Sequence, residues 1–177
     1  TFAEAQSLIQ HGQAAELDRR LAAALHAQQT DPDSRGLLDR IYQDAFQNGS
    51  FEVRPTLDAW KRDAPDSAFA FAASGTAYVS MAAEARGENY LSDTPDSQVQ
   101  AMDKLLAQAD SDLRRAIALD PKVTPSYAAT VHVGGLGSGR ALVAAAIPDA
   151  LAAVPDDYSS YSIALWARQP KWCGSYA

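Results

Sequence analysis

The stretch with the most recognisable chemistry is a glycine-rich segment in the C-terminal third of the chain. Four glycines fall within six residues at Gly134–Gly139, after the apolar run 131–133 and before a helical pattern that starts at Arg140. A strand, a glycine loop and a helix in this order bind dinucleotides when the glycines are spaced G-x-G-x-x-G. Here Arg140 occupies the position of the third glycine, and the sequence has no Gly-Lys-Ser/Thr phosphate loop. The spacing therefore favours a linker between two helices over a nucleotide site.

Nucleophiles and metal ligands are sparse. Cys173 is the only cysteine, and a catalytic thiol needs a basic neighbour to lower its pKa and a histidine to relay protons. The histidines are scattered, with no HExxH motif and no pair at i, i+4, which disfavours a zinc site. They are His11, His26 and His132. We predict that the chain has no cofactor or metal and is not an enzyme. An enzyme using the Gly134–Gly139 loop or Cys173 stays open as an alternative.

Aromatic side chains are the better candidates for function, because aromatic residues often anchor protein and peptide interfaces. Tyr78 and Tyr127 lie in strongly apolar helical patterns and are expected to pack in the core. Other aromatic residues lie near predicted turns, near the chain end or in a short helix, where they can line a surface or a pocket. The predicted partner-binding residues are Tyr158, Tyr161, Trp172 and Trp60.

Composition limits the classes of partner. The chain has 177 residues and a formal net charge of -7, so it repels phosphate backbones and nucleic-acid binding is not expected. No run of 18 apolar residues is present, so we expect no membrane-spanning helix. The sequence begins at Thr1 and shows no signal peptide. The sequence leaves the compartment open: it favours a cytoplasmic location slightly, and a periplasmic or secreted one is open if a leader was removed before Thr1.

The elements that must position these side chains are predicted to be helices throughout. Alanine is abundant and valine and isoleucine are sparse, and apolar residues recur at i, i+3 and i+4 rather than alternating. Start signals include the capping-box spacing of Thr1 and Glu4 and the cap-plus-proline pairs at 94–95 and 124–125. Pro148 is expected to kink or break a helix near residues 140–153. With no low-complexity linker, we predict one all-α domain over residues 1–177.

Part of the pattern resembles the tetratricopeptide repeat (TPR), a pair of antiparallel helices with small residues at the crossing. Gly75 and Tyr78 are similar to the Gly-x-x-Tyr of the first helix of that repeat. Second-helix positions are matched by Ala109, Leu113, Ala116 and Pro121, and the last three are matched again by Ile147, Ala150 and Pro155. Tyr78 and Ala109 lie much farther apart than in the repeat. The resemblance therefore implies a TPR-like right-handed α-α superhelix with one elongated, insertion-bearing pair.

The whole chain also resembles a bacterial family described as domain of unknown function 4034. The similar stretches are the leading Gly12–Asp18 segment, Asp120-Pro121 followed by Ser126-Tyr127, and the terminal segment 169–176. That last segment is similar to a Pro-Arg-Trp-Gly-Gly-Ser-Tyr signature, with Cys173 in place of its first glycine. This resemblance implies a TPR-like helical fold, and it implies no activity and no site residues.

Helical repeats that stack on one another leave an extended surface for recognition. We therefore expect a non-catalytic protein-protein interaction module of the adaptor or immunity type, which binds a protein or peptide partner. Because the chain is acidic, we expect a partner of basic character. The alternative is a helical domain that binds a small ligand between its helices. The sequence leaves the partner's identity and the oligomeric state open.

Overall fold

The computed structural model describes residues 1–88, 93–137 and 139–169, and these residues form helices and no strand. The all-α prediction is therefore confirmed for this part of the chain. Two short 3₁₀ turns, at Pro32–Ser34 and Phe51–Val53, precede α3 and α4. The α-helices are α1 (Phe2–Gln10), α2 (Ala14–Thr30), α3 (Leu37–Ala45), α4 (Arg54–Asp63), α5 (Ala68–Arg86), α6 (Asp96–Leu119), α7 (Pro125–Leu136), α8 (Arg140–Ala153) and α9 (Tyr158–Ala167).

Helix ends follow the local signals of the sequence. The Glu4 amide donates to the Thr1 hydroxyl while the Thr1 amine donates to the Glu4 carboxylate, so the predicted capping box is present. Ser67 caps α5 by accepting a hydrogen bond from the Ala70 amide at 3.1 Å. Gly12 has a φ of 70°, a left-handed conformation that glycine adopts without steric cost. These caps fix where α1 and α5 begin and where α1 ends.

The centre of the fold is the long antiparallel pair of α5 and α6. Arg115 on α6 pairs with Asp66 just before α5, and Asp112 accepts a hydrogen bond from Ser74 one to two turns farther along. Gly75 lies at the crossing: a Cβ atom there would come within 2.6 Å of the Leu113 side chain. The prediction that Gly75 sits at a tight helix-helix contact is confirmed, because only a residue without a side chain lets the two backbones approach this closely.

A buried ionic network joins α4 to this pair. The Arg54 guanidinium donates to the hydroxyl and carbonyl of Ser74 and to Asp58, and it stacks over the ring of Tyr78 at 3.8 Å. The Lys61 ammonium donates to Asp112 at 2.9 Å. Charges this far from water are tolerated only when they are paired and hydrogen-bonded, so the network fixes how α4 packs on α5 and α6.

Two local predictions, about helices α6 and α8, are refined. Helix α6 begins one residue later than expected, with Pro95 rather than Thr94 at the cap position. Helix α8 continues through Pro148 without a break. Pro148 and Ala144 lie on the exposed side of α8, so the Ala144 carbonyl that loses its usual amide donor can be hydrated there.

The glycine-rich segment is less of a loop than predicted, because Gly134 lies inside α7 and Gly139 directly precedes α8. A Cβ atom on Gly134 would come within 2.9 Å of the Gly139 carbonyl oxygen, so this glycine relieves crowding where α7 and α8 meet. Gly137 and Gly139 have negative φ values. Gly134 and Gly139 therefore serve close packing, and none of the described glycines of the segment supplies a left-handed turn.

Candidate functional site

Two adjoining cavities form one groove on a single side of the molecule. The larger has a volume of about 420 Å³ and the smaller about 80 Å³, and both are lined by Asp39, Gln43, Ala128 and His132. We call the two cavities together the inner groove. Its remaining walls come from α3, α5, α7 and α9 and from residues next to α3, while α4, α6 and α8 contribute nothing to it. Alternate helices of the chain therefore face the same space.

Asp39 forms the floor of the inner groove, with only 6% of its surface exposed. A relay of hydrogen bonds holds it. The Leu38 amide donates to the Gln28 side-chain oxygen at 2.8 Å, and the Gln28 amide group donates to the Thr124 hydroxyl at 3.3 Å. That hydroxyl in turn donates to Asp39 Oδ2 at 3.0 Å. The relay connects α2, α3 and the start of α7, and it fixes the carboxylate beneath the groove.

The other carboxylate oxygen of Asp39 has no such support. Asp39 Oδ1 is sealed from solvent and accepts no hydrogen bond from the described residues. Burial, and to a smaller extent the nearby negative charge of Asp157, raises the pKa of Asp39 from 3.8 to about 6, although hydrogen bonds from the Ser159 and Thr124 hydroxyls and from its own backbone amide act in the opposite direction. Asp157 is itself buried, at the cap of α9, where it accepts bonds from the amide and hydroxyl of Ser160. A second buried carboxylate therefore lies near enough to raise the pKa of Asp39, although it does not line the groove.

His132 and Trp166 form the aromatic wall of the larger cavity. Their rings meet edge to face with centroids 4.4 Å apart, which joins α7 to α9. Burial lowers the pKa of His132 from its ordinary value of 6.5. The imidazole is therefore mostly uncharged at neutral pH, and it does not supply a positive charge to balance Asp39.

Two arginines mark the outer rim of the larger cavity. Arg35 and Arg40 both line it and both are exposed, and the Arg40 guanidinium donates to the Arg35 carbonyl at 2.6 Å. Neither makes an ion pair with a carboxylate of the described residues, and neither is among the charges that move the pKa of Asp39. The groove thus has an acidic floor and a solvated basic rim.

Two of the predicted partner-binding residues lie on the surface of α9. Tyr158 is 71% exposed and lines the larger cavity, and Tyr161 is 52% exposed, with its hydroxyl donating to the Pro155 carbonyl at 3.0 Å. Leu165, also exposed, follows at helical spacing and extends the same face. These three side chains form an apolar strip beside the groove.

The other two predicted residues are not on a described surface. Trp60 is fully buried: its indole N–H donates to Asp18 at 2.9 Å, and its ring packs against Phe46. Its apolar neighbours on α4 point the same way, so we correct its assignment to the core. Trp172 and Cys173 lie outside the described residues.

Sequence reasoning missed Asp39, although a signal was present. Asp39 precedes Tyr42 by three residues and Phe46 by seven, so it lies on the face of α3 that is otherwise apolar. A carboxylate on a buried helix face needs an explanation. Its partners could not be found in the same way, because Thr124 and Asp157 come from distant parts of the chain.

The groove shows no arrangement typical of a bound metal: no group of three or more histidine, cysteine or acidic side chains lies together in the part of the chain that the structure describes. None of the described helices is both long enough and apolar enough to cross a membrane. No family model, curated protein or solved structure matches this chain. The inner groove is therefore interpreted from its own chemistry.

Proposed function

We propose that this chain is a non-catalytic helical-repeat module that binds an extended segment of a partner protein in the inner groove. The observation that carries the proposal is that α3, α5, α7 and α9 line the groove while the helices between them lie behind it. In stacked helix pairs, the first helix of each pair faces inward and the second forms the outer layer, which gives such proteins a continuous recognition surface.

The packing supports a TPR-like right-handed superhelix for the second half of the chain. Helix α7 packs against α5, α6, α8 and α9, so each pair stacks on the next rather than forming a separate bundle. Gly75 and Leu113 meet at the crossing of the long pair, as the repeat pattern requires. The pair is elongated, in agreement with the wide spacing of Tyr78 and Ala109. On the other side of the groove, α3 closes the space by contacting α7.

The partner that fits this surface is a protein or peptide of basic character. The chain carries a net charge of -7, which speeds the encounter with a positively charged partner. Tyr158 and Tyr161, exposed beside the groove, offer aromatic anchors that bury a large area at little cost in conformational entropy. Association is then governed by charge and dissociation by these anchors.

The direct test compares peptide binding by a variant whose groove is filled with binding by a variant that has the same substitution outside the groove. Ala128 lines both cavities and Ala107 is exposed on α6, so Ala128→Trp blocks the groove while Ala107→Trp adds the same bulk to the outer layer. A library of random 12-residue peptides is selected on the native chain, and binding is measured by calorimetry. We expect Ala128→Trp to abolish binding and Ala107→Trp to preserve it. Equal effects of the two variants would contradict the proposal.

A second function is favoured by one observation. The larger cavity, at about 420 Å³, falls in the size range of small-molecule sites, about 300–1,000 Å³, and contains a carboxylate with a perturbed pKa. A small-ligand site between helices accounts for both facts. Native mass spectrometry of the purified chain separates the two functions, because a retained small molecule adds a discrete mass that Ala128→Trp removes.

A further inference from the structure

Asp39 is an anion without a counter-ion. It is almost fully buried, Oδ2 accepts a hydrogen bond from Thr124, and Oδ1 has no hydrogen-bond partner of good geometry among the described residues. The Ser159 hydroxyl lies close enough to lower the pKa of the carboxyl, but it carries no charge. Neither Asp39 nor Asp157 forms an ion pair with a described lysine, arginine or histidine. A buried carboxylate in this state is costly unless something positive is supplied from outside, since burial removes the water that would otherwise balance the charge.

The groups that face Asp39 do not provide that charge. The groups packed around it are neutral donors, an uncharged imidazole and a second carboxylate: Gln28 from α2, Thr124 and His132 from α7, and Asp157 and Ser159 from the start of α9. The rim arginines are exposed, so solvent screens them and they do not neutralise the floor. A ligand that carries a cation would therefore supply the charge that the described residues around Asp39 lack.

We propose that the inner groove receives the cationic head of one lysine or arginine side chain of the bound segment and places it against the Asp39 carboxylate. This inference rests on the proposed function, because it names the group that the groove recognises. The head forms a charge-assisted hydrogen bond with Oδ1, which turns toward the cavity by rotation about the terminal torsion of Asp39. The methylene stem packs on the aromatic wall of His132 and Trp166, as long basic side chains do on apolar surfaces.

The arrangement also explains why the rim is basic. A cation on the floor leaves Arg35 and Arg40 free at the mouth, where they contact the backbone carbonyls or acidic neighbours of the inserted residue. Within a partner of basic character, the bound segment that fits best therefore carries one deeply inserted cation with an acidic residue beside it. A uniformly basic segment meets repulsion at the rim.

The test uses a minimal pair of probes, n-butylammonium and 1-butanol, which share a four-carbon chain and differ in charge. Binding to the full chain is followed by ¹H–¹⁵N and ¹³C-carboxyl NMR. We expect n-butylammonium to bind saturably at least about tenfold more tightly than 1-butanol, the size of effect expected of a charge-assisted hydrogen bond. Asp39→Asn should remove this preference, whereas Asp44→Asn, an exposed carboxylate on the same helix, should leave it intact.

A second readout needs no variant. Saturating n-butylammonium should lower the pKa of the Asp39 carboxyl, because a bound cation favours its ionised form, and 1-butanol should leave it unchanged. Equal affinity for the two probes, or a preference that survives Asp39→Asn, would overturn the cation site. Selected peptides that still bind in the groove but tolerate norleucine at every lysine and arginine would also overturn it, while leaving the proposed function in place. Cation binding at Asp39 without any groove-bound peptide would instead remove the peptide-binding function.

Discussion

Replacing Asp39 by asparagine should stabilise the protein at neutral pH and have little effect in acid. The carboxyl has a pKa of about 6 in the fold against an ordinary value of 3.8, a rise of about two units. Each unit corresponds to about 1.4 kcal/mol, so the ionised carboxylate costs the folded state about 3 kcal/mol at neutral pH. Asparagine keeps an acceptor for the Thr124 hydroxyl and carries no charge.

The direction of the pH dependence follows from whether the folded or the unfolded chain holds the Asp39 proton more tightly. Below pH 3.8 the carboxyl is protonated in both the folded and the unfolded chain, and it contributes no pH dependence. As the pH rises toward 6, the unfolded chain releases its proton first, so the free energy of unfolding falls. His132 acts in the opposite direction, because its lowered pKa makes the fold lose stability when the pH falls below 6.5. The wild-type profile is therefore a sum of opposing slopes.

The difference in the free energy of unfolding between Asp39→Asn and the wild type isolates the contribution of the Asp39 carboxyl. Urea unfolding of both proteins is followed by far-ultraviolet circular dichroism at pH values from about 4 to about 7. The advantage of Asp39→Asn should grow by about 2–2.5 kcal/mol over this range. Asp44→Asn, which removes an exposed carboxylate from the same helix, should show a difference independent of pH within about 0.5 kcal/mol. An advantage that stays constant or shrinks as the pH rises would mean that Asp39 is already balanced by a cation.

Three further predictions concern packing, the ionic network and encounter. Gly75→Leu should lower the free energy of unfolding in urea by about 1–3 kcal/mol, because the larger side chain overpacks the α5–α6 crossing. The control Ala83→Leu, on the exposed face of α5, should change it by less than about 0.5 kcal/mol. Asp112→Ala should cost about 2–3 kcal/mol in urea unfolding, because the largely buried Lys61 ammonium keeps only the half-exposed Asp58, at 3.6 Å, and Ser74 loses its acceptor. Asp110→Ala should cost less than about 1 kcal/mol, because its partner Arg114 is exposed. Equal costs would show that the network is solvated. Raising the salt concentration from about 0.05 to about 0.5 M should slow the association of a selected peptide several-fold, because the electrostatic screening length falls to about 4 Å. Stopped-flow fluorescence measures the association rate, and an unchanged rate would rule out electrostatic steering.

Local signals predicted the helices well because helix ends depend on groups a few residues apart. The Thr1–Glu4 capping box, the Ser67 cap and the left-handed Gly12 all act within one turn of the chain. Gly75 was also expected at a helix crossing, because the repeat that it resembles has small residues there. The prediction that Pro148 kinks or breaks its helix was too strict. The cost of a proline inside a helix depends on whether the carbonyl four residues earlier, which loses its amide donor, can be hydrated.

The candidate site was not predicted because it depends on contacts between residues that are far apart in the sequence. Asp39 is recognisable as unusual from its place on the Tyr42 and Phe46 face, but its pKa depends on Thr124 and Asp157, which only the tertiary structure brings near. Trp60 shows the opposite error: a large aromatic residue in a short helix was assigned to a surface, and the structure places it in the core beside Asp18. Exposure is a property of packing rather than of residue type.

The relay beneath the groove has a consequence for synthesis on the ribosome. Thr124 lies 85 residues after Asp39 and 96 after Gln28, so neither side chain can meet its hydroxyl partner until α7 has emerged. At about 5–20 residues per second, the delay is about 4–17 s. During that interval the first three helices can form, yet Asp39 stays in water with the proton affinity of an ordinary carboxyl group. The inner groove is thus completed only when its C-terminal walls have been made, and a nascent chain that stops short of Thr124 lacks the hydroxyl that holds the Asp39 carboxylate.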